Sequence, residues 1–302
     1  MSAGVRGPRP ADDRRGFYDG RALRGVAHNR GVRLVSLCPS ITESLVALGL
    51  GEDLVGVTRW CVRPREAVSR VPKVGGTKNP DLAAIRAAAP DLVFANGEEN
   101  RKEDVAALAK EFRVDVSHPR TVAEVPALLR HFGALTGKEE KAREISSKVE
   151  EVLERVEREV RRAAGAADGA RGGDAAGGAR PRFRYVYLIW KDPLMTVGSR
   201  TYVADLLRRS GGLSSLEESS GDLASDYPVT SEAEILASRP DVLILPDEPY
   251  RFREEHAAFW RGRLPRSCRV VLVPGDDFCW HGVRTLRGLE AAAELAATGV
   301  AR

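Results

Sequence analysis

The chain has 302 residues, 43% of them apolar and 30% charged, and its formal net charge is +4. This is the balance of a globular protein with room for two cores, and it excludes a disordered or fibrous chain. Four Cys imply no disulfide framework, and no stretch approaches the roughly eighteen apolar residues of a membrane span.

Residues 1–31 read as a basic arm. Over residues 1–33 eight Arg face three Asp, a surplus of five, so the remainder is about neutral and the pI says nothing of nucleic acid. The arm holds no apolar stretch of a secretory signal, and Leu37 stands before Cys38 where a lipoprotein cleavage site has a small residue. The expectation is a cytoplasmic protein as the sequence stands, periplasmic or extracellular if the start lies elsewhere.

From residue 32 strands and helices alternate. "VRLVSL" is a buried strand, and "PSITESLVALGLG" a helix in which Ser40 and Glu43 have capping-box spacing. "DLVGVT" (53–58) is a strand, "NPDLAAIRAAA" a helix, "DLVFAN" (91–96) a strand, "RKEDVAALAKEF" a helix and "VDVSH" a strand. This pattern predicts a parallel sheet covered on both faces, an α/β lobe over 32–137. A helix over 138–163 follows, with Ile145, Val149, Val152, Val156 and Val160 on one stripe. Its length suits a bridge between lobes.

Ala and Gly fill fourteen of the seventeen positions 163–179, which predicts a flexible loop over 164–182. The strand–helix grammar then restarts as a second lobe over 183–302: "FRYVYLIW" strand, "TYVADLLRRSGG" and "EAEILASR" helices, "DVLIL" and "RVVLVPG" strands, and a final helix "VRTLRGLEAAAELAAT". "LAAIRAAAPDLVFA" (82–95) overlays "EAEILASRPDVLIL" (232–245) at a constant offset of 150, so the two lobes are expected to be similar. The fold class is α/β: two Rossmann-like lobes with central parallel sheets, bridged by one long α-helix.

Ligands of open parallel sheets gather beyond the carboxyl ends of the strands. Three of the four Trp (Trp60, Trp190 and Trp280) fall at such ends, with Tyr227 beside them, which predicts an aromatic cleft. Cys38, Cys61, Cys279 and His281 fall at the same edge and are metal-ligand candidates by residue type. No pair has C-x-x-C spacing, so no metal site is expected. There is no P-loop, G-x-G-x-x-G, G-x-S-x-G or H-E-x-x-H motif. "TVGSRT" (196–201) reads as a plain helix entry, and Glu98, Glu99, Arg101 and Lys102 as a solvated helix start.

"RLVSLCPSITESLVALGLGEDLVGVTRWC" and "VPKVGGTKNPDLAAIRAAAPDLVFAN" resemble the first lobe of the iron-chelate and vitamin B12 (cobalamin) periplasmic binding proteins. These helical backbone metal receptors are the class III substrate-binding proteins of ABC transporters. "YLIWKDPLMTVGSRTYVADLLRRSGG", "YPVTSEAEILASRPDVLIL" and "CWHGVR" resemble its second lobe. The resemblance implies a binding protein, without enzymatic activity or a required cofactor, for a corrinoid, siderophore or haem held between the lobes. It implies stacking by Trp60, Trp190, Tyr227 and Trp280, with polar contacts from Ser40, Thr77, Asn79, Asn96, Lys191, Asp277 and His281. An ABC permease is the implied partner; nucleic acid and membrane insertion are not implied, and a monomer is expected. The rival expectation is a cytosolic enzyme handling a metal or corrinoid through Cys38, Cys61 and His281.

Overall fold

The computed structural model describes residues 31–169, 183–220 and 225–299. The basic arm up to residue 30, and residues 170–182 of the expected loop, lie outside the described residues.

In lobe one, β1 (Leu34–Ser36) leads into α1 (Pro39–Ala47), β2 (Leu54–Val57), the short α2 (Arg65–Val68) and α3 (Leu82–Ala88). β3 (Leu92–Asn96), α4 (Lys102–Leu108) and β4 (Val114–Ser117) complete it. The strands are all parallel, in the order β2-β1-β3-β4. β1 and β3 are buried along their whole length, as a sheet covered by helices on both faces requires.

One local expectation, the capping box of Ser40 and Glu43, is corrected. Cys38, not Ser40, is the N-cap of α1, and Pro39 occupies the first turn, where its missing N–H costs nothing. Ser40 is therefore inside the helix and Glu43 is free to bond elsewhere. The capping-box geometry is instead found at Ser231–Glu234, where Glu234 Oε2 accepts from the Ser231 N–H. A glycine ends α1. Gly49 takes φ +83°, its N–H donates to Val46 O, and the next N–H, of Leu50, donates to Leu45 O.

α5 (Val125–Thr136) packs against α6 (Glu139–Gly169), the bridging helix. The predicted stripe faces inward: Ile145, Val149 and Val156 are buried, and Val152 packs partly buried beside them. α6 runs past the expected end at 163 to Gly169. Ala163, Ala164, Ala166 and Ala167 explain this, since Ala is the best helix former and offsets the roughly 1 kcal/mol cost of each Gly.

Lobe two contains β5 (Phe183–Trp190), β6 (Met195–Thr196), α7 (Tyr202–Arg209), β7 (Gly212–Ser214) and α8 (Ser215–Ser220). It continues through α9 (Glu232–Ser238), β8 (Val242–Pro246), α10 (Glu254–Arg261), β9 (Arg269–Val273), α11 (Gly275–Cys279) and α12 (Thr285–Gly299). β7, β5, β8 and β9 lie side by side and parallel, while β6 pairs antiparallel with the end of β5. "TVGSRT" is a plain helix entry: Thr201 caps α7 by accepting from the Ala204 N–H.

The repeat is structural. Ala89 and Arg239, 150 residues apart, close α3 and α9 in left-handed backbone at φ +41° and +47°. Two residues on, Asp91 Oδ2 accepts from the Arg33 N–H at 2.8 Å and Asp241 Oδ2 accepts from the Arg184 N–H at 2.7 Å. Both lobes wind outward from their first strand and then cross to its other side. The crossing opens a crevice between β1 and β3 in lobe one, and between β5 and β8 in lobe two.

Candidate functional site at the inter-lobe seam

The crevice of lobe one is built by two asparagines. Asn100 Nδ2 donates to Leu37 O and Thr77 O, tying the end of β1 to the loop at residues 75–80. Asn96 Oδ1 accepts from the Glu98 and Glu99 N–H groups, and its Nδ2 donates to Ser117 O at 3.0 Å. The second Nδ2 hydrogen points at His281 Nε2, 3.1 Å away, and Ser40 Oγ stands 3.3 Å from the same nitrogen. His281 comes from lobe two. With Nε2 accepting, the ring is neutral and carries its proton on Nδ1, which is buried without a hydrogen-bond partner among the described residues. Burial, and secondarily His118, push its pKa down to about 3.

Other bonds draw the lobes together around this point. Glu43 holds Arg284 at 2.6 Å, Arg63 meets Asp276 at 2.5 Å, and Val283 N–H donates to Ser44 Oγ at 3.1 Å. Arg120 pairs with Asp226, and the Tyr227 hydroxyl donates to the Glu98 carboxylate. Gly282, at φ +84°, is required where α1 is approached: a Cβ there would stand 2.1 Å from Ser44 Oγ.

The crevice of lobe two is aromatic. Trp190 stacks edge-on against Tyr250 with ring centroids 5.6 Å apart, and Tyr250 against Phe252 at 4.8 Å. Trp190, at the end of β5, is 42% exposed, and Trp60, three residues after β2, is 59% exposed beside Gly76 and Asn79. Large indoles left in water at the ligand edge of both sheets are binding surface in waiting. Lys191 is exposed and lines a cavity of about 450 Å³ with Phe252, His256 and Trp260.

Two of the expected ligand contacts, Trp280 and Asp277, are packed against neighbours here. Trp280 is only 8% exposed and lies under the Arg284 guanidinium, its side chain bonded to Glu248, so its indole belongs to the packing of α11. Asp277 is buried and held by Arg284 at 3.2 Å and Arg287 at 3.4 Å. Thr77 is buried next to Glu99, Asn79 is exposed, and Tyr227 is half-buried. Glu98 and Glu99 do not form the solvated helix start expected of them: Glu98 reaches across to Tyr227, and Glu99 is half-buried near Cys38 and Cys279. Only the approach of Tyr227 and Cys279 from lobe two reveals this.

The cysteines are not poised for metal or nucleophilic chemistry. Burial pushes the Cys38 thiol up to about 12 and raises Cys61 as well, and the Cys61 sulfur sits among the Thr42 and Thr58 hydroxyls at 3.0 and 3.1 Å. Among the described residues there is no group of three His, Cys, Asp or Glu arranged to hold a metal ion.

Two parallel-sheet lobes joined by one buried-stripe helix, with facing strand-end crevices, are the architecture of a clasping receptor, and the family described as periplasmic binding protein matches residues 34–256. The chain belongs to this family. A vitamin B12-binding protein of Pectobacterium carotovorum subsp. carotovorum (strain PC1) is 25% identical over 272 residues, spanning 89% of this chain and 90% of that one. An ABC transporter substrate-binding lipoprotein of Bacillus subtilis (strain 168), YvrC, is 25% identical over 271 residues, 87% and 79% of the two chains. Among solved structures, the periplasmic vitamin B12 binding protein BtuF of Vibrio cholerae has a TM-score of 0.72 at 20% identity, covering 89% of this chain and 98% of its own. The periplasmic heme-binding protein RhuT of Roseiflexus sp. RS-1 gives 0.72 at 19% identity, covering 90% and 98%. These structural likenesses establish the two-lobed fold of this binding protein. No helix among the described residues is long and apolar enough to cross a membrane.

Proposed function

We propose that this binding protein carries a bulky, flat metal chelate, a corrinoid before any other, between its lobes and presents it unaltered to an ABC permease. The observation that carries the reading is the pair of exposed indoles, Trp60 and Trp190, one at the strand ends of each lobe. A ring large enough to touch both would bury apolar surface on each side, and aromatic faces suit a flat π-system. The curated relatives named for vitamin B12 favour a corrinoid. In this role the protein works on the outer side of the cytoplasmic membrane.

Ser40, Asn96, His281 and Tyr227 now bond across the seam, so ligand entry exchanges those bonds for ligand contacts. The stiff α6 keeps the accompanying change in lobe angle small. Haem is the second reading, placed after a corrinoid because the curated relatives are named for vitamin B12. An enzyme working through Cys38 and Cys61 is disfavoured by thiols held in the protonated form.

The test is titration of the purified full chain with cyanocobalamin and with hemin, followed by Trp fluorescence and by shifts of the visible bands. Saturable quenching by cyanocobalamin with one ligand recovered intact per chain supports the reading. Absence of quenching by either compound overturns it.

A further inference from the structure

We infer that the cleft selects its macrocycle by charge: Glu99 of lobe one and Glu248 of lobe two favour a ring edged with neutral amides over one edged with carboxylates. This rests on the proposed corrinoid-binding role and names the feature of the ligand that the site reads.

The two glutamates come from opposite lobes, Glu99 from the end of β3 and Glu248 from the end of β8. The Cys279 thiol lies 3.4 Å from Glu248 Oε1, and both Glu248 and Glu99 act on it to raise its pKa. Glu99 is also near Cys38, next to Ser40 at the floor of the lobe-one crevice. Glu248 lies on the loop between β8 and Tyr250, the partner of Trp190, so each glutamate stands at the crevice of its own lobe.

Charge compensation at the seam is already committed elsewhere. Arg284 serves Glu43 and Asp277, Arg63 serves Asp276, and Arg120 serves Asp226. Lys78 donates to the Glu98 carbonyl oxygen while acting on Glu99. Arg59 and Lys191 stand on the exposed rim, where solvent screens them. Burial raises both glutamates above the ordinary carboxylate range. A second negative charge beside either one would add to that burial cost, whereas the N–H of an uncharged amide donates to the carboxylate. An added carboxylate would meet like charge in a poorly hydrated place.

Beside the acids, two buried polar atoms of lobe two lack a hydrogen-bond partner among the described residues. Tyr187 Oη is fully buried without a hydrogen-bond partner among the described residues, in the neighbourhood of Cys279, Glu248, Asp247 and Asp276. His281 Nδ1 is likewise unpartnered, on a side chain only 7% exposed. Buried groups left this way are where a ligand's hydrogen bonds are needed.

The test holds ring shape constant and changes only charge. Dicyanocobinamide, edged with amides, and dicyanocobyrinic acid, the same ring edged with carboxylates, are titrated into the full chain by calorimetry at neutral pH. The amide form is expected to bind at least about tenfold tighter. In the Glu99→Gln, Glu248→Gln double variant, the gap should close to within about threefold by tighter binding of the acid. Equal or tighter binding of the acid by the wild-type chain overturns the inference while the corrinoid role stands. An unchanged ratio in a folded double variant removes the two glutamates as its cause and overturns it equally. Binding of neither ring overturns the corrinoid role and the inference together.

Discussion

Glu43 and Arg284 are 241 residues apart in the chain, and their side chains meet in a two-pronged contact at 2.6 and 3.0 Å. The pair is largely buried, and it joins α1 of lobe one to the segment entering α12 of lobe two. Removing one partner would strand the other charge in a place that water reaches poorly. Glu43→Ala should lower the unfolding free energy by about 3 kcal/mol, and Arg284→Met by a similar amount. The double substitution should cost clearly less than the sum, because it leaves neither charge alone. Urea denaturation of the three variants measures this; strict additivity would show that the contact does not couple the lobes.

His281 makes the seam sensitive to acid. Its pKa falls from 6.5 to about 3 on burial, so the unfolded chain takes up a proton that the folded one refuses. The contribution of this group to stability is complete above pH 6.5 and is lost as pH falls from there towards 3. Glu43, Glu99 and Glu248, raised by burial, act with the opposite sign, losing stability as pH rises through their folded values. Comparison with His281→Gln isolates the histidine. The variant should be about 1 kcal/mol less stable than wild type near neutrality. It should lose less stability than wild type on acidification below 6.5, read as urea midpoints across pH. Parallel pH profiles would mean that His281 is not buried in solution as it is here.

The three strand-end indoles divide into two kinds, and alanine substitution separates them. Trp60→Ala and Trp190→Ala remove exposed rings and should change stability by no more than about 0.5 kcal/mol. Each should weaken cyanocobalamin binding by roughly tenfold, as loss of a stacking face implies. Trp280→Ala opens a cavity beneath Arg284 and should cost about 3 kcal/mol or more of stability. Thermal melts and fluorescence titrations of the three variants supply both readouts. A stable Trp280→Ala that alone loses ligand would reverse the assignment.

Periodicity made the architecture legible. The Ile145–Val160 stripe named the bridge, and the 150-residue offset named the twin lobes, because both are patterns in the positions of apolar residues, which burial dictates directly. What failed were local readings overruled by distant partners. Ser40 and Glu43 have capping-box spacing, but the helix starts at Pro39, and Arg284 offers Glu43 a stronger partner than a backbone N–H. Trp280 shares a strand-end place with Trp60 and Trp190, and its packing against Arg284 and Glu248 is not legible from that place alone. Glu99 read as part of a solvated helix start because its neighbours from lobe two are not written in the sequence around it. The elements not anticipated, β6, β7, α2, α8, α10 and α11, are short, and short elements owe their form to neighbours rather than to pattern.

The paired Ala89 and Arg239 test whether the repeat carries the same strain twice. Both hold left-handed backbone, at φ +41° and +47°, to turn a helix directly into a buried strand. An L-residue with a Cβ is disfavoured there by about 1–2 kcal/mol, whereas Gly takes the conformation freely. Gly also gives the unfolded chain more freedom, which returns part of that gain. The net expectation for Ala89→Gly and for Arg239→Gly is a stabilisation of roughly 0.5–1 kcal/mol each. The two sites lie in different lobes at equivalent turns, so the effects should be similar and should add in the double variant. Denaturation midpoints of the three variants provide the measurement. A loss of stability at either position would mean that the turn is held by contacts of the replaced side chain and that the two lobes end these helices for different reasons.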